Sequence, residues 1–242
     1  MNLRIYHTSD LHDHGGFASR LQALREQKPG LLFDSGDSLR GSQTVYYRTE
    51  PIASDLNRAG YDAQALGNRE FHYVFRLLAA RARRMRHPLV CTNLVDLRKR
   101  PLPFVPQLDF LRDGWAVRVF ALLVPQYAEK SLWERALGWR FRDPLKTARE
   151  MTDATPGDTL LIALSHLGLA ADRELARAVP RLNLILGGHS HDTLSEPELV
   201  AGVPIVHAGP YGRYVSRTEL RRDAAGRPQI ARFNLVPLLA ET

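Results

Sequence analysis

Six short apolar runs in this chain end in residues that bind metals or move protons. "HTSDLHDHGG" carries Asp10, His12, Asp13 and His14, and "DSGDS" carries Asp34 and Asp37. "LGNREFH" carries Asn68, Arg69 and His72. Ser165-His166 follows "DTLLIAL", and "GGHSHD", with His189, His191 and Asp192, follows "LNLIL". His207 closes "VPIV". In open α/β sheets, ligands bind outside the carboxyl ends of the strands, which is where these groups fall. Asp10 and His12 are two apart, as are His189 and His191. In extended backbone such residues point to one side, so each pair is expected to converge on one ion. Two aspartates, several histidines and an asparagine make a mixed nitrogen and oxygen donor set. That set suits Mn, Fe, Co, Ni or Zn better than calcium or an all-oxygen magnesium site. Cys91 is the single cysteine and lies away from these loops, which excludes a thiolate zinc site.

Not every such residue needs a chemical role. A lone aspartate after a strand is ordinarily a helix cap or a turn residue, and Asp13, Asp34 and Asp192 are read that way. His7, in mid-strand, and His207 are read as packed or hydrogen-bonded. The joint occurrence of Asp10, His12, Asp37, Asn68, His166, His189 and His191 at strand ends is what calls for a metal site.

The elements that must position them alternate. Leu3 to Thr8, Leu31 to Phe33, Asp62 to Leu66, Leu89 to Cys91, Ala116 to Val124, Thr159 to Leu164 and Leu182 to Leu186 read as strands. Helical spacing falls around Phe17, Leu21 and Leu24, around Ile52 and Leu56, after "GNRE" (Phe71, Val74, Phe75, Leu78), over Leu145 to Met151, and over Leu175 to Val179. From Val203 onward, three strands follow one another without a helix. Alternation predicts an α/β fold and the tail an antiparallel β end. Of the 242 residues 44 % are hydrophobic, enough for a sizeable core, with no run of the ~18 apolar residues a membrane helix needs. "LRKRPLPF" (97–104) is the one weak candidate for a boundary, and a single domain over residues 1–242 is expected. The start reads directly as a strand with no signal-peptide pattern, and one cysteine permits no internal disulfide, so a cytoplasmic setting is expected.

The net charge of +7, from 33 basic and 26 acidic residues, suits an anionic partner. Only four of the basic residues are lysines, and arginine is spread along the whole chain. "RARRMRH" (81–87) and "LRKR" (97–100) suggest a nucleic-acid binder or nuclease as an alternative, but arginines on an amphipathic helix ordinarily form a solvated face.

"HTSDLHDH", "DSGDS", "AGYDAQALGNREF", "CTNL", "SHLG" and "GGHSHD", in this order, resemble the calcineurin-like metallophosphoesterases. The nearest likeness is to the catalytic domain of the 5′-nucleotidase and UDP-sugar hydrolase branch. The resemblance implies two mixed β-sheets packed as a sandwich and flanked by helices. It implies two metal ions. Asp10, His12, Asp37 and His191 would hold the first; Asp37 would bridge to the second, completed by Asn68, His166 and His189. A bridging hydroxide would then attack phosphorus in a small phosphomonoester or phosphodiester.

Three departures from the family pattern stand out. Gly-Asn-His-Glu is usual where this chain has Gly67-Asn68-Arg69-Glu70, and His72 replaces an aspartate that normally orients the missing histidine. The nucleotidase branch carries a C-terminal nucleotide-binding domain, and this chain ends at Thr242, where none is expected. Secreted relatives have a signal peptide. Arg69 is expected to bind phosphoryl oxygens, and His72, one helical turn on, to donate the proton. The alternative is a catalytically impaired scaffold that binds a partner.

Overall fold

In the computed structural model, residues 2–239 are described. Met1 and the chain end at Thr242 lie outside the described residues. The order is β1 (Leu3–Thr8), α1 (Ala18–Gln27), β2 (Leu31–Asp34), α2 (Ile52–Ala59), β3 (Ala63–Ala65), α3 (Phe75–Ala82), β4 (Leu89–Val90), β5 (Leu94–Asp96), β6 (Gln107–Arg112) and β7 (Trp115–Leu123). Then come α4 (Leu132–Leu137), β8 (Trp139–Phe141), α5 (Pro144–Asp153), β9 (Leu160–His166), α6 (Leu169–Ala178), β10 (Leu184–Gly187), β11 (Glu198–Val200), β12 (Val203–His207), β13 (Tyr214–Arg222) and β14 (Pro228–Pro237).

Two six-stranded mixed sheets result. The first has the order β14-β13-β1-β2-β3-β4 and the second β11-β12-β10-β9-β7-β6. In each, a block of four parallel strands meets antiparallel strands at its border: β13 on β1, and β11 on β12 with β6 on β7. Strands covered on both faces read as continuous apolar runs, as "LLIAL" does in β9. Ile5, Phe33 and Ala65 of the first sheet pack on Val119, Ile162 and Leu186 of the second, which makes the sandwich core. The outer face of the first sheet packs on α1 and α2 through Leu21, Ile52 and Leu56. The outer face of the second packs on α5 and α6 through Ala148, Leu175 and Ala176. Among the described residues, no helix is long and apolar enough to cross a membrane.

One expectation changes here. The helix after "GNRE" begins only at Phe75. Residues 68–70 form a turn, and Phe71 is drawn into a cluster with Trp139 and Phe141 at centroid distances of 5.6 and 5.4 Å. Val74, counted on the apolar face, is 49 % exposed. The segment 97–104 is not loose: Arg100 pairs with Asp96 at 2.7 Å and lies 4.2 Å from the Phe75 ring centre, and Phe104 is buried in the same cluster.

His87, just before β4, is buried with Nε2 2.9 Å from Gln64 Oε1. Burial lowers its pKa from 6.5 to about 4. Between those values the unfolded chain binds the proton that the native state refuses. This residue's contribution is therefore in place above pH ~6.5 and is lost as pH falls towards ~4. Unfolding free energy from urea titrations is expected to decline across that window, with up to about 3 kcal/mol traceable to His87. His87→Gln keeps a hydrogen-bonding group without titrating and is expected to flatten the decline. An unchanged slope would assign the acid sensitivity to other groups.

Candidate metal centre

Parallel pairing of β1 with β2 does not stop at the strand ends. Asp10 N–H donates to Gly36 O at 2.9 Å, His12 N–H to Asp37 O at 3.0 Å, and Asp13 N–H to Ser38 O at 2.9 Å. This ladder sets "DLHDH" against "DSGDS". A third loop joins at Gly36 and Gly67: a Cβ on Gly36, where φ is +94°, would stand 2.6 Å from Gly67 N, and one on Gly67 would stand 2.3 Å from Asp37 N. Neither position has room for a side chain, and the close approach brings Asn68 and Arg69 beside Asp37. From the second sheet, the loop after β10 returns to the first through His189 N–H, which donates to both oxygens of Asp10 at 3.0 and 3.1 Å.

The donor atoms gather in two groups, Asp10 with His12 and His191, and Asp10 with Asp37 and His166, each within 4.8 Å. Nε2 atoms of His12 and His191 are 2.8 Å apart, and each is 3.9 or 3.7 Å from Asp10 Oδ1. His166 Nε2 is 3.3 Å from Asp37 Oδ1 and 3.3 Å from His189 Nδ1. Asn68 Oδ1 accepts a hydrogen bond from Gln126 Nε2 at 3.1 Å and lines the adjoining cleft.

The expected pairing by alternate residues is corrected for His189 and His191 and not for Asp10 and His12, which fall in one donor group. His189 and His191 separate, one towards His166 and the other towards His12. The backbone is not extended: φ is +52° at Asp10, +47° at His12, +57° at Asp37, +76° at His189 and +60° at His191. Five non-glycine residues in the left-handed region are costly, and such strain collects at functional sites. It turns successive side chains to different points, where extended chain would have aligned them.

The electrostatics fit a cation. Burial, and then the Arg69 charge, lower the His12 pKa to about 4, so its imidazole is neutral. Its buried Nδ1 has no hydrogen-bond partner among the described residues, while Nε2 faces His191. Burial pushes the His189 pKa down as well, with the His166 charge adding to it. Burial would lower His166 too, but attraction and hydrogen bonding to Asp37, with Asp10 and Glu70 behind, lift it to about 10. The same imidazolium holds Asp37 below the usual carboxylate range against its burial. Asp10 is raised, chiefly by burial. The negative field that lifts His166 is one a dication would feel more strongly. His166 Nδ1 is held at 2.8 Å from Ser35 O, which directs Nε2 at the cluster, as an outer hydrogen bond does for a metal-bound histidine.

The other polar residues take supporting places. Asp13 Oδ1 caps Ile52 N–H at 3.2 Å, Asp34 Oδ1 accepts from Gly36 N–H at 3.0 Å, and Asp192 accepts from Ser190 Oγ at 2.6 Å. His207 Nε2 lies 2.7 Å from Asp172 Oδ2 within the core, and His7 Nε2 lies 2.9 Å from Ser35 Oγ.

Residues 3–193 match the family model for calcineurin-like phosphoesterases. The chain belongs to that family. It is 32 % identical over 99 % of its length to an uncharacterized metallophosphoesterase, YunD, of Bacillus subtilis (strain 168), covering 54 % of that protein. It is 28 % identical over 98 % of its length to a 5′-nucleotidase of Vibrio cholerae, covering 51 %. The crystal structure of a 5′-nucleotidase precursor from Thermus thermophilus superposes with a TM-score of 0.81 at 24 % identity, over 98 % of this chain and 54 % of that one, and speaks to the fold. The chain spans about half the length of the curated relatives it matches.

Within this calcineurin-like frame, Arg69 reaches the cleft and His72 does not. Arg69 Nε is 4.0 Å from Asp37 Oδ2, and its Nη1 donates to Arg40 O at 3.1 Å. The cleft it lines, about 310 Å³, also includes His12, Asp37, Asn68, Arg40 and Tyr47. The expected proton-donor position of His72 is corrected: it precedes α3 instead of following on a helix face. The residue is 4 % exposed, and its Nδ1 accepts from Val74 N–H at 2.9 Å. Burial, and then the Arg81 charge, lower its pKa.

Reading the sequence missed Glu70. Its Oε2 accepts from Asp37 and Gly67 N–H at 2.7 and 2.9 Å, and its Oε1 from Ser38 and Leu39 N–H at 2.8 and 3.0 Å. One carboxylate thus fastens the Asp37 loop to the Gly67 turn. A glutamate three residues after a turn glycine, able to reach back to its N–H, was the available signal.

Proposed function

We propose that this chain is a metal-dependent phosphoesterase acting on a small phosphomonoester or phosphodiester, with a nucleotide among the plausible classes. The observation that carries the reading is the pair of donor groups sharing Asp10, with Arg69 on the adjoining cleft wall. Two divalent transition-metal ions, Mn favoured, would be held by Asp10, His12, Asp37 and His191 on one side and by Asp37, Asn68, His166 and His189 on the other. When bound, such ions polarise a phosphoryl oxygen and lower the pKa of a water. The chain's own residues do the rest. His12 presents a neutral nitrogen because burial keeps it unprotonated. Ser35 O and Gln126 orient His166 and Asn68. Arg69 presents a permanently charged guanidinium to the developing phosphoryl charge. The family names of the relatives support this reading: one is called a metallophosphoesterase and others 5′-nucleotidases.

Elemental analysis and Mn²⁺ titration test the ligand set. The wild-type chain is expected to bind close to two ions, and Asp37→Asn one or fewer, because Asp37 faces His166 at 3.3 Å. No binding by the wild type, or an unchanged stoichiometry in Asp37→Asn, would remove the assignment. A screen of phosphomonoesters, phosphodiesters, cyclic nucleotides and nucleotide sugars then reads the substrate class.

A further inference from the structure

The cleft wall opposite Asp37 is a loop running from Leu39 to Glu50, and two arginines from the α3 region brace it. Arg81 is fully buried; it donates to Val45 O at 2.5 Å and to Phe71 O at 2.7 Å. Arg84 donates to Tyr47 O at 3.2 Å, Arg48 O at 2.6 Å and the Tyr46 hydroxyl at 2.9 Å. Glu50, buried beside Arg81, accepts from Arg40 N–H at 2.9 Å. Two members of "RARRMRH", read from sequence as a solvated or nucleic-acid-facing run, are therefore turned inward to shape this wall.

What the wall presents is Arg40. Its guanidinium lies 4.6 Å from the centre of the Tyr47 ring, and both residues line the cleft with Asp37 and Arg69. A cation–π contact of this kind holds the charge over the ring without using the guanidinium N–H groups. Among the described residues those N–H groups have no hydrogen-bond or ion-pair partner, whereas Arg69 is anchored on Arg40 O and near Asp37. Two guanidiniums, those of Arg40 and Arg69, share this cleft with one carboxylate, that of Asp37. We propose that Arg40, laid on Tyr47, is a second anion subsite. It selects phosphoesters that carry a further phosphate or carboxylate beyond the scissile phosphoryl group. The inference rests on the phosphoesterase reading of the same cleft and narrows its substrate class.

The test compares aryl phosphates of matched leaving-group acidity, with and without a ring carboxylate, in the wild type, Arg40→Ala and Arg40→Lys. The wild type is expected to prefer the carboxylated member. Arg40→Ala is expected to reduce that preference about 10- to 100-fold, the range for losing a charged hydrogen-bonding partner. Arg40→Lys keeps the charge without the fork and is expected to fall between. Calorimetric binding of methylenediphosphonate against methylphosphonate gives a second readout without turnover, with the same ordering expected. If the wild type hydrolyses neither ester yet binds the diphosphonate more tightly in an Arg40-dependent way, the subsite stands and the hydrolytic reading fails. If it hydrolyses both with a preference that Arg40→Ala leaves unchanged, the subsite falls and the hydrolytic reading stands. If Arg40→Ala weakens a neutral aromatic nucleoside as much as the diphosphonate, the Arg40–Tyr47 shelf stacks bases and the anion proposal is overturned.

Discussion

Glu70→Ala is expected to lower the unfolding free energy by roughly 4–6 kcal/mol, because a buried N–H left without a partner costs about 1–3 kcal/mol and four such groups depend on this side chain. Against a typical total of about 5–15 kcal/mol, that loss brings the chain close to unfolding. Burial, and then repulsion from Asp37, push the Glu70 pKa up. Yet each oxygen receives two backbone N–H donors, and Gln64 Nε2 adds a third to Oε1 at 3.4 Å, which leaves a carboxylic proton no acceptor in this geometry. The ionised form is the one the site fits. Glu70→Gln tests this more sharply than alanine. It conserves shape, but one of its ends becomes an NH₂ group facing two N–H donors, so it is expected to destabilise nearly as much. Urea denaturation of the metal-free chain measures both variants without relying on activity. A Glu70→Gln variant near wild-type stability would mean that Glu70 merely fills space.

Glu70 also shows where sequence reading stops. The strand-end donors were legible because each follows an apolar run that is buried on both faces. Runs such as "LILG" and "LLFD" permit few other readings, and parallel sheets collect their functional groups at one end. Which donors meet was not legible from spacing. His189 and His191 diverge because the backbone at both is left-handed, and no residue in "GGHSHD" announces that apart from its glycines. The start of α3 was misread for a related reason: Phe71 has helical spacing to Phe75 and Leu78, but Trp139 and Phe141, far along the chain, hold it in a turn. Strand β8, which supplies those two residues, has three residues and pairs with β5, also of three. Neither is long enough to show a period. Strand β6 did carry one, with Leu108 and Phe110 packed on the core and Asp109 exposed, yet it was not read as a strand. Arg81 and Arg84 could not be told from surface arginines, since their partners include backbone carbonyls of a loop 36 and 37 residues earlier.

Arg69→Ala is expected to lower kcat/KM about 10²- to 10³-fold, the usual cost of removing one preorganised group that meets developing charge. The factor should be similar for phosphate esters of acidic phenols and of simple alcohols, because stabilisation of the phosphoryl oxygens does not depend on what departs. His72→Ala provides the contrast. Its ring is buried, its Nδ1 is engaged by Val74 N–H, and it stands outside the cleft. A proton donor lost from the site would slow alkyl esters by about 10²- to 10⁴-fold and spare aryl esters. His72→Ala is expected to show no such split, and to act through stability by loosening the turn that leads into α3. A steep leaving-group dependence in His72→Ala would restore the ring as the acid and require the turn to open during turnover. Arg69→His separates the remaining alternatives. An arginine cannot release a proton near neutral pH, so an enzyme built around Arg69 works best on substrates whose leaving groups need none. If Arg69→His raises activity on every ester, Arg69 is a lesion in a phosphoesterase site, and the scaffold reading gains. If it extends activity to alkyl esters while weakening activity on aryl esters, Arg69 is the residue that sets which phosphoesters this chain takes.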